Sequence, residues 1–368
     1  MRLVDSEERS KTLVDALRCD LRDSPEEERF IAVDTEFIRE NLVKPLLCLV
    51  QLATQSETYV LDAVSVDVFV LNSILSDEKI RKVFYSAGQD LEILSTCGLE
   101  VKNFYDVQLY EMILDADERG SYQSIVFKYL GKKLKKGYTL SNWRKRPLEI
   151  EQLNYSAEDV THLREIYKKQ TEELSRLGRL HWLDEELKQS TKSRSEDDAG
   201  VHFHSEKSLN VFKQLIAWRN QKAQEENLLP EQIARDDTIK SICRRGMAQI
   251  QNMKNARYVK NAHFKELLNF AETIPELLEI NEKRTARNPT LTLLKALLEM
   301  CSLREKIAPS MIATADELEK LCLPAMESDR PSLRCLNGWR YDVFGRRALA
   351  LLNGEVALGV RNSAVEMR

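Results

Sequence analysis

The feature that most restricts this chain is an apolar run that ends in two acids, Phe30-Ile31-Ala32-Val33-Asp34 followed by Thr35 and Glu36. Four consecutive apolar residues leading into Asp34 read as a buried strand. In a strand, residues i and i+2 point to the same face, so Asp34 and Glu36 project together from the end of a buried element. Two like charges side by side in a desolvated place are costly unless a positive charge lies between them. A divalent cation resolves that cost, and hard oxygen donors suit magnesium or manganese. The spacing recurs at Asp5-Ser6-Glu7, Asp90-Leu91-Glu92 and Asp184-Glu185-Glu186. What distinguishes Asp34 and Glu36 is the apolar strand feeding them; the alternative is a solvated strand end.

Two further sites carry acids in informative settings. Asp90 follows the strand-like Val83-Phe84-Tyr85 and the small residues Ser86-Ala87-Gly88. That order places it in the first turn of a helix, where the macrodipole alone would favour a carboxylate. Tyr155 and Asp159 stand four apart in a helical stretch, so phenol and carboxylate share a face. Such a pair can supply a metal ligand and an orienting hydroxyl, or be an ordinary exposed face.

Composition removes other chemistries. The seven cysteines form no CxxC pair and the five histidines no HExxH, which argues against a disulfide framework and a zinc site. Reduced thiols point to the cytoplasm. No apolar stretch approaches the length of a membrane span, and the charged N-terminus lacks a secretory signal core. The net charge of −4 conceals an acidic excess over residues 1–206 and a basic excess over 207–300. This distribution suits a metal-dependent catalyst joined to a module that meets phosphates.

Strands are expected at 30–34, 46–53, 58–62, 82–85 and 101–105, with helices at 66–75 and 89–97 and almost throughout after Asp106. This is a mixed sheet flanked by helices. The segment 181–206 is expected to be a linker, polar from Glu186 onward. Beyond it, Leu209, Phe212, Leu215 and Ile216 fall on one helical face, so 207–285 is a helical module. A second helical segment covers 289–368.

The ordered set Asp-x-Glu, Asp, Tyr-x-x-x-Asp resembles the DEDD exonucleases of the tyrosine subgroup. The surrounding text is similar to the ribonuclease D family: Ala32–Phe37, Gln89–Glu92, Tyr105–Gln108, Trp143–Leu148 and Gln152–Val160. The stretch from Leu215 through Trp218 to Leu228 resembles an HRDC module, and 289–368 a more diverged copy. The resemblance implies an α/β ribonuclease H-like exonuclease domain over 1–180 followed by one or two all-α HRDC modules. It implies 3′→5′ exoribonuclease activity with two divalent cations, Mg2+ or Mn2+, held by Asp34, Glu36, Asp90 and Asp159. Tyr155 would aim the attacking water, and 5′-mononucleotides would be released. The implied substrate is a single-stranded 3′ end of RNA, in relatives a tRNA precursor, with no membrane and no obligate protein partner. The rival readings are a DNA exonuclease of the same fold and a non-catalytic nucleic-acid-binding protein.

For substrate contact the candidates are Phe37, Lys136, Trp143, Arg144 and Arg146, a mixture suited to phosphate contact and base stacking. Lys132, Lys133 and Lys135 extend the basic stretch. Lys254, Arg257, Tyr258 and Lys260 form a second basic-aromatic group, for which a charged helix face is the favoured reading. Where family members often carry histidine, this chain has Tyr85.

Overall fold

The computed structural model describes residues 1–38, 45–116, 120–134, 141–182, 185–186, 206–226, 228, 230–255, 262–280, 288–322, 333–362 and 364–368. The chain separates into two compact units. One comprises residues 1–38, 45–192 and 293–368; the other includes 193–292.

The first unit is built on a six-stranded mixed sheet. Its strands are β1 (Arg2–Val4), β2 (Phe30–Ile38), β3 (Leu46–Ala53), β4 (Thr58–Asp62), β5 (Arg81–Phe84) and β6 (Phe104–Asp106). Their order is β1-β4-β3-β2-β5-β6. The central β4-β3-β2 meander is antiparallel, whereas β1, β5 and β6 join their neighbours in parallel. The expected mixed sheet is therefore present. Only β1 escaped the sequence reading, since three residues are too few to show a period.

Alternation divides the side chains of the meander between two faces. Ile31, Val33, Val50, Leu52 and Leu61 lie on one. They form a core with Leu13, Leu17 and Leu21 of helix α1 (Glu7–Asp23). Helix α2 (Asn72–Leu75) adds Ile74 and Leu75, and α3 (Gly88–Thr96) adds Leu91, Ile93 and Leu94. Asp34, Glu36, Gln51 and Val60 lie on the other face. There Cys48, Leu49 and Val60 pack with Trp143 and with Leu153 and Ala157. Three more helices, α4 (Val107–Leu114), α5 (Tyr122–Leu130) and α6 (Ile150–Thr161), precede α7 (Leu163–Arg176). It is α6 that carries Leu153 and Ala157 and so covers the acidic face.

Among its described residues the second unit contains helices and no strand. Helices at Glu206–Glu226, Asp236–Arg245, Met247–Asn255 and Ala262–Glu272 enclose Val211, Leu215, Ile239, Ile242, Leu267 and Leu277. Gly246 turns the chain between two of them at φ +62°, and a Cβ there would stand 2.1 Å from the Ile280 carbonyl oxygen. Only glycine fits.

The C-terminal segment differs from expectation. From Leu293 it belongs to the first unit, and it ends in a hairpin, β7 (Leu358–Arg361) and β8 (Ala364–Met367). The Ala308 amide donates to the Met112 carbonyl (2.8 Å), and Arg179 donates to the carbonyls of Ile113 (2.9 Å) and Glu305 (2.8 Å). Trp182 and Trp339 stack with centroids 4.4 Å apart. Glu186 accepts from the Trp339 indole (3.0 Å) and pairs with the fully buried Arg340 (2.8 Å). Residues 293–368 thus pack within the first unit, and so do Trp182 and Glu186. The remainder of the expected linker, 183–184 and 187–205, lies outside the described residues.

Candidate active site

The site grows from the end of β2. Register pairs β2 with β5 only through Phe30, Ile31 and Ala32, so beyond Ala32 the strand is bonded on one side, to β3. The freed edge leaves room for groups arriving from α3 and α6. Asp34 and Glu36 project from the face covered by α6, and Asp159 comes from α6 itself. One carboxylate oxygen from each lies within 4.8 Å of the others.

Asp90 is not one of those three converging acids; it is tied to the same strand through Thr35. Thr35, which points away from its two neighbours, donates its hydroxyl to the Asp90 carboxylate. Asp106 holds the turn that delivers Asp90, accepting from the amides of Ser86 and Ala87, each at 2.9 Å. The same carboxylate caps α4 through the Gln108 amide (2.9 Å).

The acids hold protons unusually tightly. Burial pushes Asp34 well above the ordinary carboxylate range, and the charges of Asp90, Asp159 and Glu36 add to it. Burial, with Asp159 and Asp90, raises Glu36 to about 9. Asp159 is pushed up to about 7 by burial and then by Glu158. Asp90 rises only to about 6, because the Thr35 hydrogen bond opposes its burial. Converging oxygen donors that repel one another fit a hard divalent cation.

A cavity of about 470 Å³ opens over Asp34, Glu36 and Asp159, lined also by Tyr85, Tyr122 and Tyr155. Tyr122 donates to the Asp159 carbonyl oxygen (2.6 Å) and packs on Tyr85, centroids 5.1 Å apart. Tyr85 donates to the Gly120 carbonyl (2.7 Å) and accepts from Gln108 Nε2 (3.0 Å). In this chain, then, the residue that replaces the family's frequent histidine braces the wall of the cavity. Tyr155 lies beside Asp159 on α6, as the i, i+4 spacing requires, with its ring 6.2 Å from that of Trp143.

Comparison with known proteins bears on this arrangement. A family model described as 3′-5′ exonuclease matches residues 5–175, and one described as HRDC domain matches 208–274. The ribonuclease D of Nitrobacter hamburgensis is 32% identical, over 91% of this chain and 93% of its own length. That of Sphingobium indicum is 34% identical, over 92% and 93%. The chain belongs to the ribonuclease D family. The crystal structure of Escherichia coli RNase D shares the fold with a TM-score of 0.69, at 22% identity, covering 96% of this chain and 98% of that one. With family membership and the acidic cluster together, divalent metal use follows for this ribonuclease D relative.

The remaining expected site residues fare differently. Trp143 is only 2% exposed within the core, so it cannot stack on a base; its ring instead supports Tyr155. Arg146 is engaged by Asp62 and by the carbonyls of Trp143 (2.7 Å), Lys145 (2.9 Å) and Cys48 (3.3 Å). It clamps its loop to β4. Phe37 packs half-buried against the core on the face opposite Glu36. Arg144, Lys132 and Lys133 are exposed. Lys136 and Lys135 lie outside the described residues, as do Arg257, Tyr258 and Lys260; Lys254 is helical. Sequence reasoning missed Thr35 and Tyr122. Thr35 was at hand as the middle residue of Asp-x-Glu, whereas Tyr122 carried no local signal.

Proposed function

We propose that this site removes nucleotides one at a time from the 3′ end of single-stranded RNA by two-metal-ion hydrolysis. The observation that carries the reading is the meeting of Asp34, Glu36 and Asp159 within 4.8 Å at one end of the sheet. Asp34, Glu36, Asp90 and Asp159 would hold two divalent cations, Mg2+ or Mn2+. When bound, such cations supply the positive charge that acidifies water and offsets charge gathering on the phosphate.

The chain's own groups do the rest. The carboxylates give up their protons as the site fills. Thr35 and Asp106 hold Asp90 and its turn in place. Tyr155 hydrogen-bonds the attacking water and aims it at phosphorus; its phenol serves as an orienting group, because an ordinary phenol holds its proton at neutral pH. Water adds to phosphorus and the bond to the 3′ oxygen breaks. The products are a 5′-mononucleotide and a chain ending in a new 3′-hydroxyl. Arg144 is exposed and, in this reading, would contact a substrate phosphate.

For the biological substrate we propose 3′ extensions of tRNA precursors. The E. coli relative is described as an exoribonuclease involved in structured RNA processing, which supports that class. The cysteines are free, in keeping with a cytoplasmic location, and among the described residues no helix is long and apolar enough to cross a membrane. The test uses a 5′-labelled single-stranded RNA and a matched DNA with Mg2+, Mn2+ or EDTA, beside Asp34→Ala. A ladder shortening from the 3′ end of RNA, abolished by EDTA and by the substitution, is expected. Preferential shortening of DNA, or none with folded protein and bound RNA, would overturn the reading.

A further inference from the structure

One group beside the acidic cluster is unexplained by the mechanism. Gln51 is completely buried in the middle of β3, and neither its amide nitrogen nor its amide oxygen has a hydrogen-bond partner. A leucine would fill similar space without that penalty. Trp143 is in the same condition, 2% exposed with its indole N–H unpartnered.

Register brings these two groups and Asp34 into one layer. Gln51 stands directly opposite Asp34 on β2 and directly opposite Val60 on β4. Side chains so paired share a face, with Cβ atoms about 4.5–5.5 Å apart. Val60 and Leu49, which flank Gln51 on that face, pack in one cluster with Trp143. The amide therefore lies between a carboxylate and an indole N–H. An ionised carboxylate only accepts, an indole only donates, and a glutamine offers one group of each kind.

We propose that Gln51 is a positioning residue for Asp34, the central link of a donor chain running from the Trp143 indole to the Gln51 oxygen and from the Gln51 nitrogen to the Asp34 carboxylate. The chain closes by rotation of the glutamine side chain, which satisfies both of its buried amide atoms and the Trp143 N–H. Donation from behind fixes the carboxylate's orientation and leaves its other lone pairs facing the cavity. Partners of this type usually matter to affinity almost as much as the ligands they orient. The inference rests on the reading that the acidic cluster takes divalent cations.

The test is Mg2+ titration of the full chain without RNA, followed by calorimetry and by the 15N–1H signals of the indoles, of which the chain has four. Trp143→Phe identifies the signal of Trp143. In the wild type, Mg2+ is expected to shift that signal. In Gln51→Leu the signal should stay still and Mg2+ affinity should fall roughly ten- to hundredfold. The melting temperature of the cation-free variant should be unchanged or raised, and kcat should fall while KM for RNA holds. Trp143→Phe, which keeps a ring and loses the N–H, should weaken Mg2+ less but in the same direction, and it serves if Gln51→Leu does not fold. Wild-type Mg2+ affinity in both variants, or an indole signal indifferent to Mg2+, overturns the chain while leaving the cation site intact. Failure of the wild type to bind Mg2+, or binding retained by Asp34→Ala, overturns the cation reading itself.

Discussion

Replacing Arg146 with alanine separates two accounts of one residue. From sequence it was a candidate phosphate contact; in the structure its guanidinium is spent on Asp62 and three carbonyls. Asp62 is 2% exposed, and its other partners are the Val64 amide (3.0 Å) and the Ser65 hydroxyl (2.9 Å), neither of which brings charge. The pairing with Arg146 keeps Asp62 acidic, its carboxyl lying below the usual range although burial pushes the other way. Arg146→Ala therefore strands a buried carboxylate, a loss of about 3–5 kcal/mol. For a body of this size 1 kcal/mol moves Tm by about 2–4 °C, so the melt should fall by about 6–20 °C. The assay is a thermal melt in EDTA paired with steady-state kinetics on RNA well below the new Tm. Arg146→Met combined with Asp62→Leu should recover part of the loss, since an apolar pair leaves no charge unpaired. A tenfold rise in KM with Tm unmoved would refute this reasoning and return Arg146 to the substrate.

Other consequences follow from the same geometry. Tyr155→Phe should lower kcat by about 10²–10³-fold, the cost of losing one oriented hydrogen-bond group, with Tm and Mg2+ affinity unchanged; single-turnover rates check it. In EDTA the protein should lose stability as pH rises. Folded-state values of about 6 for Asp90, about 7 for Asp159 and about 9 for Glu36 exceed those of a free carboxylate, so the folded form holds protons that the unfolded form has released. The loss starts near pH 4 and continues through neutrality, and Mg2+ should reverse it; a melt in EDTA that is flat or improves from pH 5 to 8 contradicts this. Glu186→Ala removes the carboxylate that pairs with buried Arg340 and should lower the urea midpoint.

What could be read from the chain was whatever local periodicity encodes. The apolar run before Asp34 announced a buried strand, i+2 placed Glu36 beside Asp34, and i+4 placed Asp159 beside Tyr155. What could not be read depends on pairing between distant segments. Trp143 and Arg146 have the composition of a nucleic-acid contact. Only the partners supplied by β3 and β4, Cys48 and Asp62, turn them inward. Thr35 looked like a spacer because its role depends on α3 returning beside the freed edge of β2. Gln51 read as one polar letter in an apolar strand, and it acquires meaning only from its register with Asp34. The helical stretch after Pro289 likewise does not say in sequence which body it packs against.

That body is closed by residues far apart in the chain. Because 293–368 completes the unit begun at Met1, the HRDC region is a long insertion within it rather than an appendage behind it. On a ribosome the sheet and its acids emerge early, but Met112, Arg179 and Glu186 wait for partners at Ala308, Glu305 and Arg340 that are made last. A release of synthesis before Pro289 leaves those surfaces bare, however complete the catalytic motifs. Excision of the inserted helices with the two flanks rejoined removes none of those contacts.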